Sequence, residues 1–106
     1  MAKFLIQGSY TAEGAKGLQS AGGTSRRDAV TKMVEALGSR VESFYFAFGG
    51  SDVYVVVDAP DNQTAVAVSL AVNASGAVTT QTVVLLTAEE IDAAGKLSVD
   101  YRPPGS

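Results

Sequence analysis

The sequence predicts an α+β domain of two layers, in which helices cover one face of a four-stranded antiparallel sheet. A chain of 106 residues has room for a single hydrophobic core. Four of its segments show the two-residue alternation of strands. Segments with helical spacing connect the first strand to the second and the third to the fourth.

The first predicted strand runs from Lys3 to Tyr10, because its side chains alternate between two faces. One face carries Phe4, Ile6 and Gly8, and the other carries Leu5, Gln7 and Ser9. After the strand, Thr11 can cap a short helix that Gly14 and Gly17 weaken. The next segment, QSAGGT, is predicted to be a flexible loop. The overlapping glycine-rich stretch GAKGLQSAGG is not interpreted as an anion site, since it lacks the spacing of a phosphate-binding loop and does not follow a strand directly.

The main helix of the first half is predicted over SRRDAVTKMVEALG. Ser25 is the expected N-cap with Asp28 as its capping-box partner, and Gly38 is the expected left-handed stop. The apolar side chains fall on one stripe, formed by Ala29, Val30, Met33, Val34 and Leu37. We therefore expect this helix to lie on the sheet.

A hairpin follows, built from RVESFYFAF and DVYVVVDA. On the first strand Phe44, Phe46 and Phe48 share one face, while Ser43, Tyr45 and Ala47 share the other. The second strand separates Val53, Val55 and Val57 from Tyr54, Val56 and Asp58 in the same way. Between them, Gly49-Gly50-Ser51 is interpreted as a tight turn whose glycines take positive φ. A phosphate-binding loop would lead into a helix instead.

The second half repeats the pattern of helix and strand. Asp58 or Asp61 caps a helix with Pro60 in its first turn and Gly76 at its end. From Ala65 to Val72 this helix is apolar nearly all round, so we expect it to be covered on more than its sheet-facing side. A fourth strand spans AVTTQTVVLL, and a Thr87–Glu90 capping box starts a short helix that stops at Gly95.

The order strand, helix, strand, strand, helix, strand is the ferredoxin-like βαββαβ pattern, with both helices on one face of the sheet. Residues 1–96 are assigned to this single domain, and residues 97–106 to a C-terminal extended arm with alternating apolar side chains. Because only two helices are available, the second face of the sheet is predicted to be covered by another copy of the chain.

The distribution of charge supports self-association. Only 18 % of the residues are charged, and none lies between Asp61 and Glu89. Polar residues interrupt that segment, so it is interpreted as a surface buried against protein rather than a membrane span. The net charge of −3 argues against nucleic-acid binding. The N-terminus does not resemble a signal peptide, and a cytoplasmic location is expected.

The chain contains no cysteine and no histidine, which excludes thiolate nucleophiles and Ser-His-Asp triads. We expect no metal and no cofactor. Asp52 and Asp58 would lie roughly 20 Å apart on one strand, too far to share an ion. Asp58 and Asp61 are interpreted as helix caps. Asp52 is the one candidate catalytic residue, although an aspartate beside a turn usually binds local amides.

In three stretches the chain resembles the GYD-domain family, small bacterial and archaeal proteins grouped with the dimeric α/β barrels. The stretches are YTAEGAKGL, VEALGSRVESFYFAFGGSDVYVVVDAPDN and NASGAVTTQTVVLLTAEE. The resemblance implies a ferredoxin-like fold with sheets paired face to face, and it implies no settled activity. The family's Gly-Tyr-Asp triplet corresponds here to Gly50-Ser51-Asp52, so any role of the tyrosine does not carry over.

The candidate ligand-binding residues are the polar side chains expected on the second face of the sheet. They are Gln7, Ser9, Tyr45 and Tyr54, joined on the fourth strand by Thr80, Thr82 or Gln81. They could hold a small apolar ligand between paired sheets, or only hydrogen-bond across a dimer. The leading hypothesis is a homo-oligomer, at least a dimer, with a structural or small-ligand-binding function.

Two other functions stay open. The chain could be a cofactor-independent enzyme, similar to a monooxygenase or isomerase, that acts on an apolar or phenolic substrate in the dimer barrel. Such an enzyme would have to use Tyr45, Tyr54, Gln7 and Asp52. Alternatively, the C-terminal arm could recruit another protein by adding to a sheet edge.

Overall fold

The computed structural model describes residues 1–105, which form one four-stranded antiparallel sheet and four helices. The strands are β1 (Ala2–Tyr10), β2 (Arg40–Phe46), β3 (Val53–Ala59) and β4 (Val78–Leu85). The helices are α1 (Ala12–Ala21), α2 (Gly23–Ala36), α3 (Asn62–Ala74) and α4 (Ala88–Gly95). The strand order is β2-β3-β1-β4, so β1 and β3 are central. Ser106, the last residue of the predicted arm, lies outside the described residues.

The hydrophobic core lies between the helices and one face of the sheet. Phe4 and Ile6 of β1 are buried there beside the three inward valines of β3. The helices α2 and α3 close the core from above, and their buried residues are Val34, Ala65 and Val68. Each buried valine stabilises the fold by about 1.5–3 kcal/mol. The strand alternation read from the sequence therefore assigns β1 and β3 correctly.

Between β1 and β2 the chain forms two helices separated by a single residue, Gly22. Its φ of 92° breaks the helical path. The Gly22 N–H donates to the Leu18 carbonyl at 2.8 Å, and its carbonyl accepts from the Arg26 N–H at 3.2 Å. The prediction of a flexible QSAGGT loop is wrong, and so is Ser25 as N-cap, because α2 already begins at Gly23. The predicted stop at Gly38 has the expected positive φ of 69°.

The hairpin between β2 and β3 is longer than the sequence indicates. Its loop runs from Ala47 to Asp52, and it is closed by a 2.8 Å hydrogen bond from the Ala47 N–H to the Asp52 carbonyl. Neither Gly49 nor Gly50 has a positive φ, so the tight-turn argument for these glycines is wrong. The strand β2 ends at Phe46, and Phe48 is fully exposed instead of sharing the buried face.

The caps in the second half follow the local sequence closely. Asp61 caps α3 by accepting from the Thr64 N–H at 2.8 Å, and Pro60 precedes the cap instead of entering the first turn. Gly76, with a φ of 75°, ends the segment. At α4, Thr87 and Glu90 form the predicted capping box. Asp58 is not a cap, because its carboxylate bonds to Lys3 and Arg40 and the cap of α3 is Asp61.

The start of α1 is bound to the turn that precedes β4. Thr11 donates its N–H to the Ala77 carbonyl at 3.0 Å and its hydroxyl to the Gly76 carbonyl at 3.0 Å. Gly14 permits this contact, because a Cβ at that position would lie 2.0 Å from the Ala77 carbonyl oxygen. Gly17, one turn later in the same helix, has open space around it.

We expect Gly14→Ala to lower the free energy of unfolding by about 1–3 kcal/mol, because the added methyl group overpacks the contact with Ala77. The matched variant Gly17→Ala should raise it by about 0.5–1 kcal/mol, because alanine favours a helix interior over glycine. Urea denaturation followed by circular dichroism measures both. Equal changes in the two variants would contradict the close approach at Gly14.

Candidate functional site

The face of the sheet turned away from the helices, here called the open face, carries a row of polar side chains. Strand pairing places Tyr45 of β2 opposite Tyr54 of β3, Tyr54 opposite Gln7 of β1, and Gln7 opposite Gln81 of β4. Directly opposite side chains on neighbouring strands lie within contact distance of each other. We call these four residues the polar row. Three of the predicted ligand-binding residues are thus neighbours.

The remaining polar candidates divide between the two faces. Ser9 lies one step further along the open face, opposite Thr79, whose hydroxyl donates to the Ser9 carbonyl at 3.4 Å. Thr80 and Thr82 face the helices instead, where their hydroxyls bond to Asn73 and Ser69 of α3. Gln81 is therefore the fourth-strand residue that joins Gln7.

Next to the polar row the open face is apolar. Strand pairing aligns Val56 of β3, Leu5 of β1 and Val83 of β4, with Ser43 of β2 at the end of the line. We call the three apolar residues the apolar row. Leu5 and Val56 are half-buried by their neighbours, while Val83 keeps 38 % of its surface exposed. No helix of the described chain covers them.

At one end of the open face four charged side chains form a cluster around Asp58. The Asp58 carboxylate accepts from the Lys3 ammonium at 2.8 Å and from the Arg40 guanidinium at 2.7 Å, and Lys3 also bonds to Glu42 at 2.7 Å. Asp58 itself is only 6 % exposed. The hydrogen bonds from Lys3 and Arg40 lower the pKa of Asp58 below its ordinary value of 3.8.

The sequence reasoning missed this cluster, because it treated Asp58 as a cap for α3. The alternation of side chains along the strands already places Lys3 and Asp58 on one face, and this could have indicated that they interact. Only the register, however, pairs Lys3 and Arg40 directly with Asp58. Register between separate strands is a long-range property that local spacing does not specify.

We expect Asp58→Asn to lower the free energy of unfolding at neutral pH by about 1–2 kcal/mol, because it removes charge-assisted hydrogen bonds to partly exposed partners. The pKa of Asp58 is lower in the folded chain than in the unfolded one. As the pH falls below 3.8, the unfolded chain binds the proton first, and the wild type loses this stabilisation.

The difference between the wild type and Asp58→Asn should therefore shrink as acid is added. Thermal unfolding measured from pH 7 down to pH values below the ordinary aspartate pKa tests it. Asp28→Asn is the control, since Asp28 is exposed and, among residues 1–105, pairs only with Arg27 at 3.4 Å. A difference that persists unchanged in acid would exclude the Asp58 ion pairs as its source.

Asp52, the candidate catalytic residue, lies outside the polar row. Its N–H donates to the Gly8 carbonyl at 2.8 Å, and its Oδ2 accepts from the Tyr10 N–H at 2.9 Å. The carboxylate thus extends the pairing of β1 beyond the end of β3. The carboxylate therefore bonds to a backbone amide of β1, and not to the amides of its own turn that the alternative interpretation expects.

The polar row combines two phenol hydroxyls with two amides. Each of these groups can both donate and accept a hydrogen bond, and the rings of Tyr45 and Tyr54 add apolar surface. Such a set can orient a small molecule on the open face. It contains no carboxylate that could take up a proton during a reaction.

A family model described as the GYD domain matches residues 4–94 of the chain. The match includes all four strands except the first two residues of β1, and it extends almost to the end of α4. No curated protein and no solved structure matches the chain significantly. Among residues 1–105, no helix has the length and apolar character that crossing a membrane requires.

Proposed function

The chain belongs to the GYD-domain family, and we propose that it functions as a homo-oligomer, at least a dimer, with a structural or small-ligand-binding role. In this proposal the subunit is ferredoxin-like, and two sheets pair face to face as a dimeric α/β barrel. The strand order β2-β3-β1-β4 and the position of α2 and α3 over one face support the subunit fold.

The main support for the proposal is the apolar surface of the open face. An antiparallel sheet tolerates water on one face when the side chains there are polar. Here the apolar row crosses the three strands β3, β1 and β4, and two tyrosines lie beside it. A second copy would cover the same residues with an identical surface, as the two-fold symmetry of a dimer requires.

The total surface of the chain supports the same conclusion. A folded monomer of this mass exposes about 5,600 Å², whereas this chain exposes 7153 Å². The excess is larger than the roughly 800 Å² that each partner buries in a standard protein interface. Part of this excess surface belongs to α4 and residues 96–105, which are exposed throughout.

The polar row supports a ligand-binding role for the paired sheets. Ligand sites are mostly apolar and contain a few converging polar groups. The tyrosines and glutamines of the polar row, beside the apolar row, have this composition. The ligand in this proposal is a small apolar or phenolic molecule that lies between the two sheets.

The observations favour binding over catalysis. A cofactor-independent enzyme in the same space would need a group that transfers protons to or from the substrate. Asp52 was the candidate for that role, but it lies outside the polar row, and one oxygen of its carboxylate is held by the Tyr10 N–H at the end of β1. Binding needs only the hydroxyls and amides of the polar row.

The helix α3 offers a further contact between copies. Its outer side exposes Val66 and Leu70, and it carries no charge from Asn62 to Ala74. The C-terminal arm adds Leu97, Val99 and Tyr101, all largely exposed. We propose that α3 contacts another subunit beyond the sheet-paired dimer, and that the arm lies along a partner.

We expect Val83→Lys to weaken dimerisation by about 100-fold or more, because pairing would bury two unpaired ammonium groups in the apolar row. The matched variant is Val84→Lys, one residue along β4 on the helix-facing side. Val84 is 56 % exposed, more than Val83, so any general effect of an added lysine should be at least as large there.

Size-exclusion chromatography with light scattering at micromolar concentration measures the mass of both variants. The proposal requires the Val83→Lys chain to elute at a lower mass than the wild type with a native circular dichroism spectrum, and the Val84→Lys chain to keep the wild-type mass. If Val83→Lys retains the wild-type mass, the open face is not the dimer interface.

A further inference from the structure

We propose that the chain has a second binding site, for a small molecule with an aromatic or apolar body and an ammonium group. The site is a groove of about 470 Å³ at the hairpin end of the sheet, here called the hairpin groove. Its lining residues come from β1, α1, α2, the end of β2 and the β2–β3 loop. Those that carry the argument are Tyr10, Leu18, Gly23, Phe46, Phe48 and Asp52. The groove lies on the helix side of the sheet and shares no residue with the polar row.

The walls of the hairpin groove are apolar and partly fixed in place. The ring of Phe46 lies against Gly23, so closely that a Cβ at Gly23 would be 3.0 Å from its Cε2. Phe46 also meets Phe44 edge to face, with ring centroids 5.2 Å apart. Leu18 lines the groove from α1. Volumes of 300–1,000 Å³ are typical of ligand sites, so a molecule the size of an arylalkylamine fits.

Phe48 provides surface for a ligand to cover. It is fully exposed in the loop after β2 and still borders the groove. An exposed phenylalanine contributes nothing to the core of its own chain. A ligand in the groove could bury this ring together with Phe46, and burial of an aromatic ring is a large source of binding free energy.

Asp52 supplies the specificity for a cation. Its amide, its carbonyl and its Oδ2 are each held by a hydrogen bond of 2.8–2.9 Å, to Gly8, Ala47 and Tyr10. Its other carboxylate oxygen, Oδ1, accepts no hydrogen bond from residues 1–105, so it is available to a ligand donor. Asp52 is also the only charged residue that lines the groove.

An ammonium group satisfies this environment better than a hydroxyl or an anion does. A carboxylate bonds more strongly to a charged donor than to a neutral one. The faces of aromatic rings attract cations as well, and the groove contains Tyr10, Phe46 and Phe48. An anion would be repelled by Asp52.

Nuclear magnetic resonance of the full-length ¹⁵N-labelled chain tests the site with three probes of one shape. They are phenethylamine, 2-phenylethanol and phenylacetate, which carry an ammonium, a hydroxyl and a carboxylate. Phenethylamine should cause saturable shifts in the amides of Leu18, Gly23, Phe46, Phe48 and Asp52. The alcohol should bind about tenfold more weakly or worse, and phenylacetate should not saturate.

Two variants separate the apolar and the charged contributions to phenethylamine binding, and a third variant is the control. Phe48→Ala should weaken phenethylamine binding several-fold while the spectrum remains native. Asp52→Asn should remove the preference for the amine over the alcohol, since asparagine can still accept from the Tyr10 N–H. Ile91→Ala, which truncates an exposed apolar side chain of α4 outside the groove lining, should leave the affinity unchanged.

The hairpin groove is not an ammonium site if phenethylamine gives no saturable shift in these amides, or if phenylacetate binds as tightly. The assignment also fails if Ile91→Ala weakens binding as much as Phe48→Ala does. A result confined to the groove leaves the sheet-paired dimer untouched, because the two sites have no residue in common.

Discussion

Strand β1 is the element on which both faces of this domain depend, because it is central in the sheet and its side chains alternate strictly. Phe4 and Ile6 point into the core under α2 and α3, while Leu5 and Gln7 belong to the open face. The helices cover only the first of these faces. The proposed pairing of two sheets follows from that imbalance, since the alternation that builds the core also lines up the apolar row on the other side.

The elements specified by local signals could be predicted from the sequence. The caps at Asp61 and at Thr87 with Glu90 are contacts within one turn, and the sequence reasoning found them. The break at Gly22 was missed because a glycine between two helices and a glycine in a loop have the same local pattern. The six-residue hairpin loop was taken for a tight turn for the same reason, since two adjacent glycines permit either.

The sequence was sufficient to predict which face of the sheet carries the candidate ligand-binding residues. It was not sufficient to predict which side chains lie next to them on the neighbouring strands. Alternation was sufficient to select Gln7, Tyr45 and Tyr54 as residues of one face. Register was needed to align them in a row with Gln81 and to surround Asp58 with Lys3 and Arg40. The hairpin groove depends on how α1 and the β2–β3 loop are placed on its opposite sides, which no spacing within either segment indicates.

The small domain has two distinct surfaces, and we propose that the open face pairs with a second copy and that the hairpin groove binds a small cation. The central claim is that the open face is covered by another copy of the chain. Native mass spectrometry of the freshly purified wild-type chain tests it most directly, because it reports both the number of chains and any retained small molecule. The account predicts a mass of at least two chains, each of 10.9 kDa. A stable single chain at micromolar concentration would contradict it.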